Sequence, residues 1–460
     1  MNFLKRLCSP YQLNEVFTPN TVAKLTYVKR QILEDDLTKY IGLPGKQIVV
    51  YGHSGSGKTT LILNILKNAK INYIKTHCES ATTFDDLLLQ AFDKLNRFYI
   101  TEKTTNYQYS ISSDLKAEYK TLSAKISESN TNSKGEKSVR LVPQQLTPEK
   151  LAQFLGEVES VWLIEDFHKV NEVEKRRIAD VIKIFIDAAN DSPKVKIICI
   201  GAVGTARELI ELDNNLRNRI AEMSVPLLKD EEIKNLIKKG DGLLHIKMPD
   251  GLIEKIVYYS NNLGSLAHQI CYDICYHDGI IKSRIFMKEI HEEYFRSAVE
   301  SYVRKNSDTF SKLYDMILSQ EGGWNILQTF DYTEKEHLSI IELTKGVNYN
   351  KRLNWETSKV EALLQKLATS EFEEVIRYDR ITRNYSISSP FFKAFLKMKF
   401  ALKRAEDKEV QRRRHRKRKN MMNLQETGLV INAQFFETYY QYLDSYLTRK
   451  LTIIEKDSEL

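Results

Sequence analysis

The chain has 460 residues, 42% apolar and 28% charged, which is the make-up of a globular protein and excludes a fibrous or wholly disordered one. No apolar run reaches the roughly 18 residues of a spanning helix. The opening Met1–Arg6 lacks the apolar stretch of a secretory signal, and five scattered cysteines (Cys8, Cys78, Cys199, Cys271, Cys275) argue against a disulfide framework, so a reducing, cytoplasmic setting is expected. The 69 Lys/Arg exceed the 61 Asp/Glu by 8, but residues 401–420 alone hold ten cations against three acids. Attraction for a polyanion is therefore expected from that segment rather than from the whole surface.

In chain order, residues 1–45 read as a leader into a strand, Gln47–Tyr51, followed by a glycine-rich turn. Apolar runs at Asn72–Cys78, Ser160–Ile164 and Lys196–Ile200 read as short buried strands. Phe84–Leu95 and Glu172–Ala188 carry i, i+3, i+4 apolar spacing and read as helices. Strands alternating with helices imply a parallel sheet covered on both faces, over a core spanning 46–226. Residues 101–140, crowded with Ser, Thr, Asn and Lys, bury too little apolar area to offset their ordering entropy and read as a polar insertion, with a helical portion near Asp114–Ile126. Residues 227–304 read as helical throughout. A further unit covers 305–400, and 401–460 read as a basic linker with a final helix around Ala433–Leu451.

The strongest local signal is Gly52-His53-Ser54-Gly55-Ser56-Gly57-Lys58-Thr59-Thr60, a G-x-x-x-x-G-K-[ST] run between a strand and a helical pattern. Glycines let backbone N–H groups curl around phosphate oxygens, and the following helix N-terminus adds positive potential. Lys58 reaches the outer phosphates of a nucleotide, and Thr59 offers a hydroxyl to Mg²⁺. No [NT]-K-x-D tetrad for guanine is present, so ATP is the expected nucleotide.

A second site of charge follows the strand Val161-Trp162-Leu163-Ile164, which ends in Glu165-Asp166. Strand ends of parallel sheets face the ligand crevice. By position Glu165 is assigned to Mg²⁺ and Asp166 to the base that orients water, although the two roles can be exchanged. His268, Cys271, Cys275 and His277 share a helical stretch, but four ligands on one regular helix cannot close a tetrahedron. A packed face is expected there, without a structural metal.

This order of motifs resembles the AAA+ and STAND branches of the P-loop ATPases over about residues 20–300. Ile164-Glu165-Asp166-Phe167-His168 is similar to the acidic strand end of STAND regulators. Lys196–Ile200 with Gly201–Thr205 resembles the sensor-1 strand of AAA+ proteins related to transposition regulators. Tyr27-Val28-Lys29-Arg30 resembles the adenine border of origin-initiator-like members, and Val225–Leu228 with Glu231–Ile233 the start of an α-helical lid. The resemblance implies that Arg217 or Arg219 acts as an arginine finger on a neighbouring subunit, hence a homo-oligomer. Intramolecular pairing of Arg219, with Glu222 for example, is the plain alternative. Two departures stand out. Gly201 occupies the usual polar sensor-1 position, and Gly264-Ser265-Leu266-Ala267-His268 supplies no sensor-2 arginine. The missing lid cation implies slow intrinsic turnover, or turnover completed by Arg217 or Arg219 of a neighbouring subunit.

The C-terminal unit resembles a winged helix, with a helix over Lys351–Leu367, a two-stranded pattern over Glu374–Ser388, and Ser388–Phe392 opening the next helix. Lys351, Arg352, Arg380 and Arg383 are its candidate phosphate contacts if it binds DNA; a protein-packing role is equally compatible. Residues 412–419 hold seven cations in eight positions, suited to DNA, an acidic partner, a membrane surface or a nuclear address; an exposed solvated linker is the plain alternative. The aromatic pairs Phe435-Phe436 and Tyr439-Tyr440 suit docking to a subunit or protein effector. The expected fold is thus an α/β P-loop NTPase sheet with an α-helical lid, a winged-helix-like domain and a helical tail. The expected function is an ATP-hydrolysing regulator that couples nucleotide state to assembly or to DNA or partner engagement. Similar combinations occur in prokaryotic phage-defence and mobile-element ATPases. The alternative is a nucleotide-locked signalling scaffold with little hydrolysis.

Overall fold

The computed structural model describes residues 10–102, 146–202, 205–333, 335–349, 353–380 and 382–426. Most of the expected insertion, the helix expected at 433–451 and the candidate contacts Lys351 and Arg352 lie outside these residues. Two units result, one up to Met398 and one from Lys399 onward.

In the first unit the leader forms α1 (Leu13–Val16) and α2 (Gln31–Gly42). There follow β1 (Gln47–Tyr51), α3 (Lys58–Asn68), β2 (Asn72–His77), α4 (Phe84–Glu102), α5 (Pro148–Glu157), β3 (Ser160–Glu165), α6 (Glu172–Ala188), β4 (Lys196–Gly201), α7 (Thr205–Leu212) and β5 (Ile220–Ser224). The five strands are parallel in the order β2-β3-β4-β1-β5. Strand alternation sends successive side chains to opposite faces, and both faces are covered. Val49, Trp162, Ile164, Ile197 and Cys199 pack under α4–α7, whereas Ile48, Val50, Val161, Leu163, Ile198 and Ile200 pack under α2 and α3. This is the α/β P-loop sheet that the sequence predicts.

The lid comprises α8 (Asp230–Leu244), β6 (Ile246–Lys247), α9 (Asp250–Ser260), α10 (Gly264–His277), β7 (Lys288–Glu289) and α11 (Tyr294–Lys305). The expectation of an all-helical segment is corrected by the two-residue parallel pair β6–β7, too short for any periodicity to reveal. The leader is divided: α2 covers the sheet, whereas the segment around α1 packs on the lid, where Leu13 N donates to Ile281 O at 2.9 Å and Leu13, Val16 and Phe17 are buried. Phe17 fills the space left by Gly240 on α8, where an added Cβ would stand 2.3 Å from the ring.

A third group follows: α12 (Lys312–Leu318), α13 (Gly323–Tyr332), β8 (Leu338–Ser339), α14 (Ile340–Val347), α15 (Thr357–Leu367), β9 (Ile376–Asp379), β10 (Asn384–Ile387) and α16 (Pro390–Glu426). Its sheet is antiparallel in the order β8-β10-β9, so the expected hairpin is present with one further short strand. Residues expected as a basic linker are instead helical, because α16 continues to Glu426. The run from Ala401 contains no Gly or Pro to stop a helix, and Glu409 pairs with Arg413 at i, i+4 over 2.9 Å. Among the described residues no helix is long and apolar enough to cross a membrane.

Candidate nucleotide site

The phosphate loop leaves the C-terminal end of β1, where the crevice of a parallel sheet opens. Its backbone requires glycine, as two of its positions illustrate. Gly52 passes so close to Val225 that a Cβ would meet the Val225 carbonyl oxygen at 2.3 Å, and Gly57 caps α3 at a left-handed φ of 86°. Lys58 opens α3. Its Nζ donates to the carbonyls of Gly52 at 2.9 Å and His53 at 2.8 Å, so the cation closes the loop on itself. Burial lowers the Lys58 pKa, and Asp166 works against that shift. His53 and Ser54 are exposed at the tip; desolvation also lowers the His53 pKa, with Glu336 opposing and Arg377 assisting.

Thr59 and Glu165, expected to act together, do meet. Thr59 Oγ1 donates to Glu165 Oε1 at 2.8 Å across 106 positions of sequence. A hydroxyl beside a carboxylate is a hard oxygen donor set that suits Mg²⁺. Asp166 lies one step beyond β3 with a left-handed φ of 58°, a strained conformation for a non-glycine residue. Its side chain is 47% exposed and takes an ion pair from Lys169 at 2.8 Å, which leaves it facing solvent rather than Thr59.

Gly55, Ser56, Gly57 and Thr60 line a cavity of about 180 Å³ together with the leader (Thr18, Tyr27, Arg30) and the lid (Leu228, Gly264, Ser265, His268). Buried hydroxyls of Thr18, Ser56 and Ser265 on these walls have no hydrogen-bond partner. Orphaned donors around a glycine cradle fit a polar ligand. His268 is buried, accepts from Thr18 N–H at Nδ1 (3.1 Å) and packs edge-on to Phe17. Arg30 ties the wall to the core–lid junction, donating to Pro226 O at 2.9 Å and Leu227 O at 3.2 Å and pairing with Glu232 at 3.3 Å.

The other expected residues lie elsewhere. Arg217 is exposed in the turn before β5. Arg219 O accepts from Gln47 N at 3.0 Å, which places it at the start of β1. The loop leaves β1 five residues later, about 16 Å away at 3.3 Å per residue. Arg219 therefore cannot reach its own phosphate loop. It approaches Asp187 at 4.0 Å rather than the suggested Glu222, and is 54% exposed. Thr205 is pulled from the crevice, since its hydroxyl donates to Ala202 O at 2.7 Å. His268, Cys271 and Cys275 are buried in the packing of α10, whereas His277 is exposed.

Sequence reasoning missed three participants. Lys75 and His77 of β2 reach Glu165 Oε2 at 3.2 and 3.3 Å. Phe391, at the start of α16, lies over the phosphate loop, where a methyl group on Gly55 would stand 2.8 Å from the ring. Asn261 of the lid donates to Pro390 O at 3.0 Å beside it. The alternation of β2 carried the only signal for Lys75 and His77; Phe391 carried none.

One family model and several solved structures resemble this chain. The AAA domain family matches residues 44–210. No curated protein matches the chain. Among solved structures, the chain is similar to a Walker-type ATPase of Pyrococcus abyssi at 14% identity, covering 80% of this chain and 96% of that one with a TM-score of 0.50. It is also similar to the ORC2 protein of Aeropyrum pernix (11% identity, 85% and 100% covered, TM-score 0.45). Cdc6p of Pyrobaculum aerophilum is similar at 12% identity, with 85% and 98% covered and a TM-score of 0.42. At its identity the Pyrococcus likeness is one of fold. Residues 44–210 of this chain thus match the AAA domain model, and the chain has the fold of a P-loop ATPase.

Proposed function

We propose that the protein is an ATP-binding and ATP-hydrolysing AAA+/STAND-like regulator whose nucleotide state is coupled to its C-terminal module. The observation that carries this reading is the convergence of Thr59, Glu165 and the phosphate loop on one crevice, with Phe391 resting on Gly55 of the same loop. Backbone N–H groups of Gly55–Thr60 and the N-terminus of α3 would bind the phosphates, and Lys58 would exchange its loop carbonyls for phosphoryl oxygens. Thr59 and Glu165 would hold Mg²⁺, which when bound neutralises charge on those oxygens. Asp166, half-exposed at the strand end, would orient water and accept its proton. A phosphoryl group entering beneath Phe391 changes what the ring packs on, which links nucleotide state to the module.

The position of Arg219, away from its own loop, supports hydrolysis completed by a second subunit in a homo-oligomer, with Arg217 two positions away as the alternative finger. The helical sheet unit with Arg380 and Arg383, read as a winged helix, and the basic residues 412–419 are the proposed contacts with DNA or a protein effector. Phage defence or mobile-element control is the setting that such a combination suits. A second reading, a nucleotide-locked scaffold with little turnover, is favoured by Thr205 being bound to Ala202 and by the absence of a lid cation at Gly264–His268. Steady-state phosphate release with and without duplex DNA, run alongside light scattering in ADP and non-hydrolysable ATP, separates the two. Turnover that rises with assembly supports the regulator. Tight ATP binding with no release in any assembly state supports the scaffold.

A further inference from the structure

The two oxygens of Glu165 face different partners. Oε1 accepts from the Thr59 hydroxyl on the phosphate-loop side, while Oε2 faces β2, where Lys75 Nζ stands 3.2 Å away and His77 Nδ1 3.3 Å. Parallel pairing explains the arrangement. His77 lies opposite Glu165 and Lys75 opposite Leu163, so strand alternation turns Lys75, His77 and Glu165 toward the same side. The Glu165 side chain is 12% exposed and that of Lys75 30%, so water screens this pair less than a surface one. Phosphate binding does not call for a cation here, because Lys58 already serves that purpose. A lysine on the carboxylate that would hold a metal competes with that metal for the same negative charge.

We propose that Lys75 is the built-in counter-cation of Glu165, a positioning residue that weakens the coupling between Mg²⁺ and nucleotide. The inference rests on the reading of Glu165 as the magnesium-holding acid. Without metal, an uncompensated carboxylate beside a polyphosphate repels it, and Lys75 relieves that repulsion. With metal, a monovalent cation a few ångströms away opposes the divalent one. Both effects bring the metal-free and metal-loaded affinities closer together. A residue that merely supported the fold would move both affinities in the same direction.

The test titrates a fluorescent non-hydrolysable ATP analogue into the full-length protein, in chelator and in saturating MgCl₂, for the unmodified chain, Lys75→Met and Lys75→Arg. The ratio of the two affinities is expected to rise roughly tenfold in Lys75→Met, through weaker binding in chelator and a lower half-saturating MgCl₂. Lys75→Arg, which keeps the charge, is expected to stay within about twofold of the unmodified protein. Lys75→Gln carries the same comparison if the methionine variant does not fold. An unchanged ratio with analogue binding intact overturns this inference alone. Absence of magnesium-dependent binding in the unmodified protein overturns the assignment of Glu165 and the inference with it.

Discussion

His268 joins the leader to the lid at the wall of the nucleotide cavity, and acid should loosen that joint by a calculable amount. The ring is 4% exposed and accepts the Thr18 N–H at Nδ1, and burial pushes its pKa from the ordinary 6.5 down to about 4. The unfolded chain therefore takes up this proton first as the pH falls. Stability is intact above about 6.5, is lost between 6.5 and 4, and levels off below 4. At pH 5 the loss from this one group is about 2 kcal/mol. Asp241, which burial pushes up to about 7, contributes the opposite slope, since a carboxyl held neutral in the fold regains stability as the pH falls. His268→Asn keeps an acceptor near the Nδ1 position and leaves Asp241 in place, so the difference between the two proteins isolates the imidazole. Urea unfolding at pH 7.5 and 5.0 measures it. The unmodified protein should lose about 2 kcal/mol more than His268→Asn across that interval. Equal losses in both would refute the claim that a buried neutral His268 holds leader to lid.

Asp166→Asn should bind Mg-ATP within about threefold of the unmodified protein while hydrolysis falls about 100-fold or more, because an amide cannot accept the proton; the opposite pattern, with Glu165→Gln hydrolytically dead and Asp166→Asn deficient in Mg²⁺, would exchange the two roles. Arg219→Ala should retain ATP binding, change stability by less than about 0.5 kcal/mol given its half-exposed 4.0 Å approach to Asp187, and lose roughly 10³-fold in turnover. Mixing it with Lys58→Ala should restore part of the rate, and a strictly monomeric protein with full activity would eliminate the finger. Phe391→Ala should speed release of bound nucleotide by about tenfold, the equivalent of one ring contact of about 1.4 kcal/mol, as followed by displacement of a fluorescent nucleotide; an unchanged release rate would detach the module from the phosphate loop.

What was legible in the sequence was what neighbouring residues dictate. The run from Gln47 through Thr60 declares strand, glycine turn and helix within fourteen positions, and Val161–Asp166 declares a buried strand with acids at its end. Both were placed correctly, and so was the α/β sheet, because alternation and glycine spacing are local. What escaped notice depends on partners far along the chain. Leu13, Val16 and Phe17 carry no strong periodicity, and only the hollow at Gly240 and the loop near Ile281 make them part of the lid. Lys75 looks like an ordinary solvated lysine until β3 is set beside β2, 88 positions away in register with Leu163. Thr205 does not replace the polar side chain that Gly201 lacks, because a threonine opening a helix meets a nearby carbonyl, here Ala202 O, before it meets a ligand. The charge of the basic run suggests a solvated linker, yet the run is helical. Repulsion among exposed arginines is weak beside the helix propensity of Arg, Lys, Ala and Gln.

The central claim is that the loop from Gly52 to Thr60 binds the phosphates of ATP through Lys58. Isothermal titration of Mg-ATP into the full-length protein and into Lys58→Ala tests it most directly. The cation makes two bonds to loop carbonyls that solvent can replace, so the variant should fold and melt within a few degrees of the unmodified protein. Its affinity should drop about 100-fold or more, the loss of one or two charge-assisted contacts to phosphate. Equal affinity in the two proteins, both folded, would contradict the account.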